Sequence, residues 1–135
     1  MKNISPSLKT KIDNLKKLLQ NYSNLEMAIL VGSQTTENTH SESDWDIAIQ
    51  WKRNTDVITE LEKTETLRED IANLLNKPRE KIDFIHIPDA RLAMREVIAN
   101  NGIVLKGRKE LPWYHFLSRT WRELEEYDWK TRHVD

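Results

Sequence analysis

Cysteine is absent from this chain of 135 residues. Without a thiol the chain can form no disulfide, no thiolate metal site and no cysteine nucleophile. The absence fits a reducing compartment, and we expect a cytoplasmic protein. Long apolar runs are missing as well, since nothing approaches the roughly 20 residues that span a bilayer. The N-terminus also lacks the apolar stretch of a signal peptide. We therefore expect no membrane partner.

An excess of charge of one sign is also missing. The chain has 21 Lys and Arg residues against 22 Asp and Glu residues, for a formal net charge of −1. Such a balance does not predict bulk attraction to polyanions, so we expect no direct nucleic-acid binding. The length and the mixture of apolar and charged residues are typical of a soluble globular domain.

The spacing of apolar residues predicts helices and strands that alternate along the chain. The N-cap signal Ser5-Pro6 begins the first helical pattern. Helices are predicted over residues 6–22, 55–76, 89–100 and 112–129. Strands are predicted over 25–31, 44–51 and 81–87, with a short edge strand at 103–105. This order predicts an α+β (α/β-like) fold in which helices flank a small mixed β-sheet. In the second helix we expect these residues to face inward: Ile58, Leu61, Ile71, Leu74 and Leu75.

The last helix is rich in aromatic residues, with six among residues 112–135. Two interpretations stay open for this segment. The aromatic side chains can pack onto the domain, or they can form a surface that docks onto another protein, because Trp, Tyr and Arg are favoured at interfaces. We therefore divide the chain into a main domain at 1–111 and a C-terminal helix at 112–135, which is either part of that domain or a docking element.

Glycine is scarce, with three residues in the chain, and the position of Gly32 is informative. Gly32-Ser33 follows a predicted buried strand and precedes a polar segment. A glycine lets the backbone approach a phosphate closely, and the N–H groups at a helix start bind anions. The Ser33 hydroxyl can donate to a phosphate oxygen. The turn is therefore a candidate nucleotide-binding site.

Carboxylates on the second and third predicted strands supply a candidate metal site. Asp44 and Asp46 are two residues apart on a strand, so their side chains leave the same face of the sheet. Asp83 can join them if the third strand lies beside the second. Oxygen-only ligands of this kind suit Mg²⁺, which usually takes substrate phosphates as further ligands. Three carboxylates can hold two metal ions, or one metal ion with a general base.

Taken together, these residues resemble the DNA polymerase β-type nucleotidyltransferase superfamily, and within it the minimal nucleotidyltransferases. The pattern is Gly-Ser, ten residues, then Asp-x-Asp, which here reads GSQTTENTHSESDWD at residues 32–46. The resemblance implies that fold, with Gly32 and Ser33 binding ATP. It also implies that Asp44, Asp46 and Asp83 are catalytic metal ligands for Mg²⁺.

Stand-alone minimal nucleotidyltransferases of this size resemble the MntA-like antitoxins of HEPN/MNT toxin–antitoxin pairs. That resemblance implies transfer of AMP from ATP to a tyrosine hydroxyl of a partner HEPN ribonuclease toxin, which neutralises the toxin. Two alternatives stay open: a small-molecule nucleotidyltransferase of the antibiotic-modifying type, and an antitoxin that blocks its partner by contact alone. A basic cluster at Lys77, Arg79 and Lys81 is expected to be a solvated face, with triphosphate or partner binding as the alternative.

Overall fold

The computed structural model describes residues 5–32, 44–53 and 56–133. Ser5 caps the first helix as expected, since its side chain accepts a hydrogen bond from the backbone N–H of Leu8 at 3.1 Å. The elements follow the predicted order. They are α1 (Pro6–Leu19), β1 (Leu25–Val31), β2 (Trp45–Trp51), α2 (Val57–Leu75), β3 (Ile82–His86), α3 (Leu92–Asn101), β4 (Ile103–Lys106) and α4 (Leu111–Arg132). Short 3₁₀ turns at Arg79–Lys81 and Ile87–Asp89 enclose β3.

The four strands form one mixed sheet in the order β3-β2-β1-β4. β1 pairs antiparallel with β2 and with β4, whereas β2 and β3 run parallel. The parallel pair is possible because α2 carries the chain back along the sheet between the two strands. The predicted fold class is confirmed: a small mixed sheet flanked by helices.

Each face of the sheet packs against two helices. On one face, α1 and α2 cover the side chains of Trp45, Ile47 and Ile49 in the main core cluster. On the other face, α3 and α4 cover a smaller cluster that includes Ile29 and Ala48. Alternate residues of β2 therefore point into different cores, because successive side chains of a strand leave opposite faces of the sheet.

The inward face predicted for α2 is confirmed at Ile71 and Leu75 and is wrong at the other three positions. Ile58 and Leu61 are 70% and 60% exposed, and Leu74 is 42% exposed. The buried stripe instead comprises Thr64, Leu67, Ile71, Ala72 and Leu75. Helical spacing identifies an apolar face, but the helix meets the sheet only from about Thr64 onward, so the first two turns have no sheet beneath them.

The helix α4 is longer than the body that it packs on. Trp113, Phe116 and Thr120 are buried, whereas every residue from 125 to 133 is exposed. The second half of the helix therefore lies away from the core. No helix among the described residues is both long enough and apolar enough to cross a membrane.

Candidate active site at one end of the sheet

Gly32 ends β1 in a backbone conformation that suits glycine. Its φ is +81°, in the left-handed region that L side chains rarely adopt. A Cβ at this position would also clash with the Oδ2 atom of Asp46. The backbone of Gly32 and the carboxylate of Asp46 are therefore in close contact. Ser33, the other half of the predicted phosphate turn, lies outside the described residues.

Asp46 and Asp83 lie side by side on neighbouring strands. They are paired in the parallel register of β2 and β3, so both side chains leave the same face at a strand spacing of about 4.8 Å. Asp46 is half-buried and Asp83 is exposed. Val31 is the antiparallel partner of Asp46 on its other side, which brings the end of β1 to the same edge. The structure thus brings Gly32, Asp46 and Asp83 together.

Asp44 lies just before β2 and has a cationic neighbour that the sequence reading did not assign to the site. The Nζ atom of Lys81 is 3.8 Å from the Oδ1 atom of Asp44. The sequence places Lys81 in a basic cluster with Lys77 and Arg79, which is expected to be a solvated face, with triphosphate or partner binding as the alternative. The signal that would have found it is its position two residues before Asp83, since parallel pairing places the starts of β2 and β3 together.

The electrostatics of Asp46 reflect this crowding. Partial burial raises the pKa of the Asp46 carboxyl above 3.8, and the negative charges of Asp83 and then Asp44 raise it further. A like-charge cluster at the end of a sheet opposes folding unless a cation compensates it. The arrangement is therefore one that gains stability when a cation binds.

The chemistry of the donor set fits Mg²⁺. This ion takes one or two protein carboxylates and fills its remaining positions with water and substrate phosphates. In the described part of the chain, no three carboxylate or histidine side chains come close enough to hold a metal ion by themselves. Asp46, with Asp44 and Asp83 beside it, offers a partial ligand set that a bound nucleotide would complete.

Residues behind the site fix the position of β3. Arg68 of α2 donates a hydrogen bond to the backbone carbonyl of Ile82, the residue before Asp83, and its guanidinium lies 5.0 Å from the ring centre of Phe84. Glu65 in turn bonds Arg68 at 3.2 Å and Arg79 at 2.6 Å. These contacts tie α2 to both sides of Asp83, so the carboxylate is held at a fixed strand position.

Of the six aromatic residues of α4, two are buried and four are exposed. Trp113 and Phe116 are buried and stack with ring centres 5.4 Å apart. Trp121, Tyr127 and Trp129 are 39%, 65% and 62% exposed. Burial of Trp113 and Phe116 agrees with packing onto the domain, although Tyr114 between them is 52% exposed, and docking onto another protein stays a prediction.

Comparison with known proteins places these features in context. A family model described as polymerase beta nucleotidyltransferase matches residues 13–111. No curated protein gives a significant match.

Solved structures share the fold. One is a complex of a tri-AMPylated Shewanella oneidensis HEPN toxin with an MNT antitoxin. The sequence identity is 19% and the TM-score is 0.62, and the match covers 93% of this chain and 92% of that chain. Another is a toxin–antitoxin with AMP-PNP, with 22% identity, a TM-score of 0.64, and coverage of 92% of each chain.

A third structure is a mutant of the toxin–antitoxin MntA–HpeT in which two aspartates, two positions apart, are changed to glutamate. It has 19% identity, a TM-score of 0.64, and coverage of 90% of this chain and 92% of that chain. At these identities the likeness establishes the fold.

Proposed function

Because the chain belongs to the polymerase beta nucleotidyltransferase family, we propose that it transfers AMP from ATP to a tyrosine hydroxyl of a HEPN-family ribonuclease toxin and so acts as its antitoxin. The observation that carries the proposal is the placement of Asp83 beside Asp46 at the end of β1, where Gly32 brings the backbone close to the same carboxylate. The choice of partner is supported by the solved relatives, which are toxin–antitoxin complexes.

Asp44 and Asp46 would hold Mg²⁺, with Asp83 either as a further ligand or as a base. When bound, the ion neutralises charge on the phosphates and on the leaving pyrophosphate. Gly32 leaves room for the triphosphate to approach the backbone. Ser33 would donate its hydroxyl to a phosphate oxygen. Lys81, beside Asp44, would add positive charge at the position where the triphosphate enters.

The reaction requires a proton acceptor. A tyrosine hydroxyl has a pKa near 10 and is mostly protonated at neutral pH. In our proposal its oxygen forms a bond to the α-phosphorus while the bond to the β-phosphate oxygen breaks, and pyrophosphate leaves. With Asp83 as the base, the tyrosine proton passes to its carboxylate as the new bond forms. Asp83 suits this role because it is exposed at the mouth of the site, whereas Asp46 is half-buried behind it.

The exposed half of α4 is the surface that we propose for the toxin. Tyr127 and Trp129 present large aromatic area at little cost in conformational entropy. One face of α4 is buried at Trp113, Phe116 and Thr120. At helical spacing the same face continues through Leu124 to Tyr127. A partner that covers Tyr127 would thus extend a packed helix face.

The deciding experiment incubates the protein with Mg²⁺ and the HEPN protein encoded by the neighbouring gene. ATP labelled at the α-phosphate should label the partner, whereas ATP labelled at the γ-phosphate should not. Intact-mass spectrometry should show one or more added AMP units, and the ribonuclease activity of the partner should be lost. Asp83→Asn should abolish labelling and preserve ATP binding. Asp89→Asn is the matched control, because Asp89 is also exposed and lies in the turn that follows the other end of β3.

The alternative functions give different results in the same assay. Inhibition of the partner without added mass would support an antitoxin that acts by contact alone. Absence of both inhibition and labelling, with ATP consumed when small hydroxylated acceptors are supplied, would support a small-molecule nucleotidyltransferase. Either result would overturn the proposal.

A further inference from the structure

A basic groove lies between the first half of α4 and the ends of β2 and β3. Its volume is about 720 Å³. Four basic side chains line it, together with one carboxylate, that of Glu26. The basic residues are Arg53, His115, Arg119 and Arg122. We call this feature the α4 groove.

The α4 groove is separate from the candidate active site. Trp51, at the end of β2, lines the groove, whereas Asp46 lies at the start of the same strand. Five steps along the extended strand separate the two by roughly 17 Å. Glu26 lies near the start of β1, and Gly32 follows the other end of that strand. A ligand in the groove would therefore not touch the transfer site.

The positive charge in the groove exceeds its local compensation. Glu123 forms an ion pair with the buried Arg95 and lies 3.7 Å from the Nε atom of Arg119. A hydrogen bond from Arg95, and then the charges of Arg95, Arg119 and Arg122, lower the pKa of Glu123. The carboxylate of Glu123 thus interacts with three guanidinium groups, those of Arg95, Arg119 and Arg122.

The remaining charged groups do not remove this excess. The carboxylate of Glu26 accepts a hydrogen bond from the Nε2 atom of Gln50 at 3.0 Å. Across residues 5–32, 44–53 and 56–133, no ion pair to Arg53 is present. Among the described residues, the three arginines of the groove therefore outnumber Glu26, the carboxylate that lines it, and Arg119 shares Glu123 with Arg95.

We propose that the α4 groove binds a small ligand that carries at least two phosphate groups. The planar guanidinium of arginine presents a fork of donors that matches phosphate oxygens, and charge-assisted bonds of this kind are strong. The volume lies within the range of about 300–1,000 Å³ that small-molecule sites occupy. Nucleic acid would need a longer basic stripe, whereas here the net charge of the chain is −1 and the patch is local.

The test uses inorganic triphosphate as the probe, with EDTA present, and isothermal titration calorimetry as the measurement. The substitution Lys81→Gln should leave binding intact, because Lys81 lies beside Asp44 at the candidate active site and does not line the groove. Loss of binding in this variant would assign the triphosphate to the active site and overturn the proposal. The proposal therefore stands or falls independently of AMP transfer.

The groove itself is tested by Arg119→Gln/Arg122→Gln. This variant should bind triphosphate at least about tenfold more weakly, because two charge-assisted contacts are lost. Lys130→Gln/Arg132→Gln removes the same charge from the exposed end of the same helix and should bind like the parent protein. Circular dichroism spectra should show that both variants keep their helix content.

Three further results would overturn the inference. Triphosphate binding could fail to saturate in the parent protein. The Lys130/Arg132 control could lose as much affinity as the groove variant, which would indicate a general charge effect. A short single-stranded RNA without terminal phosphates could bind more tightly than triphosphate, which would assign the groove to nucleic acid.

Discussion

Replacing Gly32 with alanine perturbs two properties of the protein at once. The backbone at this position has φ +81°, and the new Cβ would meet the Oδ2 atom of Asp46. The first effect acts on stability and the second on the position of a carboxylate. The substitution therefore tests whether the candidate active site requires a residue without a side chain at the end of β1.

The size of the stability loss follows from the backbone. An L residue held in the left-handed region costs roughly 1–2 kcal/mol. For a domain of this size that lowers Tm by about 4 to 8 °C. The contact with Asp46 adds little to the loss, because a carboxylate at the end of a side chain can rotate away. That rotation moves a proposed metal ligand, so we expect Mn²⁺ affinity in the presence of ATP to fall at least about tenfold.

Gly107→Ala is the matched control. Gly107 also has positive φ, at +90°, and a Cβ there would lie 2.7 Å from the backbone carbonyl oxygen of Glu26, at the opposite end of the sheet. Backbone cannot rotate away as a side chain can, so this variant should lose at least as much stability as Gly32→Ala. Its Mn²⁺ affinity and AMP transfer should stay unchanged. Thermal unfolding measures the first property, and proton relaxation of water during a Mn²⁺ titration measures the second.

Two outcomes would refute the reasoning. If Gly32→Ala kept full Mn²⁺ affinity and full transfer activity, contact between Gly32 and Asp46 would have no role in the site. If both glycine variants lost Mn²⁺ affinity equally, the effect would come from general destabilisation.

Three further predictions address charge, packing and partner binding. Burial and neighbouring carboxylates raise the pKa of Asp46 above 3.8, so ionisation of this carboxyl opposes folding at higher pH. Asp46→Asn should therefore raise the Tm of the metal-free protein at about pH 7 and leave the Tm unchanged at about pH 3. Equal Tm shifts at the two pH values would contradict this prediction. Tyr22 donates its hydroxyl proton to the carboxylate of Asp70, so Tyr22→Phe should lower the free energy of unfolding by about 1.5–3 kcal/mol, and an unchanged urea midpoint would count against it. Tyr127→Ala/Trp129→Ala should weaken toxin binding by about 2 kcal/mol or more without changing ATP affinity. Biolayer interferometry measures the toxin affinity. If that affinity is unchanged, the exposed half of α4 does not bind the toxin.

Local pattern in the sequence predicted the elements of the fold well. The N-cap at Ser5, the alternation along β2 and the order of helices and strands all follow from spacing and capping within short segments. The family was predicted correctly as well, because Gly-Ser and Asp-x-Asp at that separation form a compact motif. The roles of Gly32, Ser33, Asp44, Asp46 and Asp83 stay predictions, and Ser33 lies outside the described residues.

The sequence by itself determined the local properties of each segment. These are the periodicity of its apolar residues, its caps and the face of the strand from which an aspartate side chain leaves. Only the tertiary structure decided which segments meet. Parallel pairing of β2 and β3 placed Asp83 beside Asp46 and carried Lys81 to Asp44. The length of sheet beneath each helix decided where burial stops, which left Ile58 exposed. Helical spacing repeats along a whole helix whether or not a neighbour covers it, so contact between distant segments has to be settled in three dimensions.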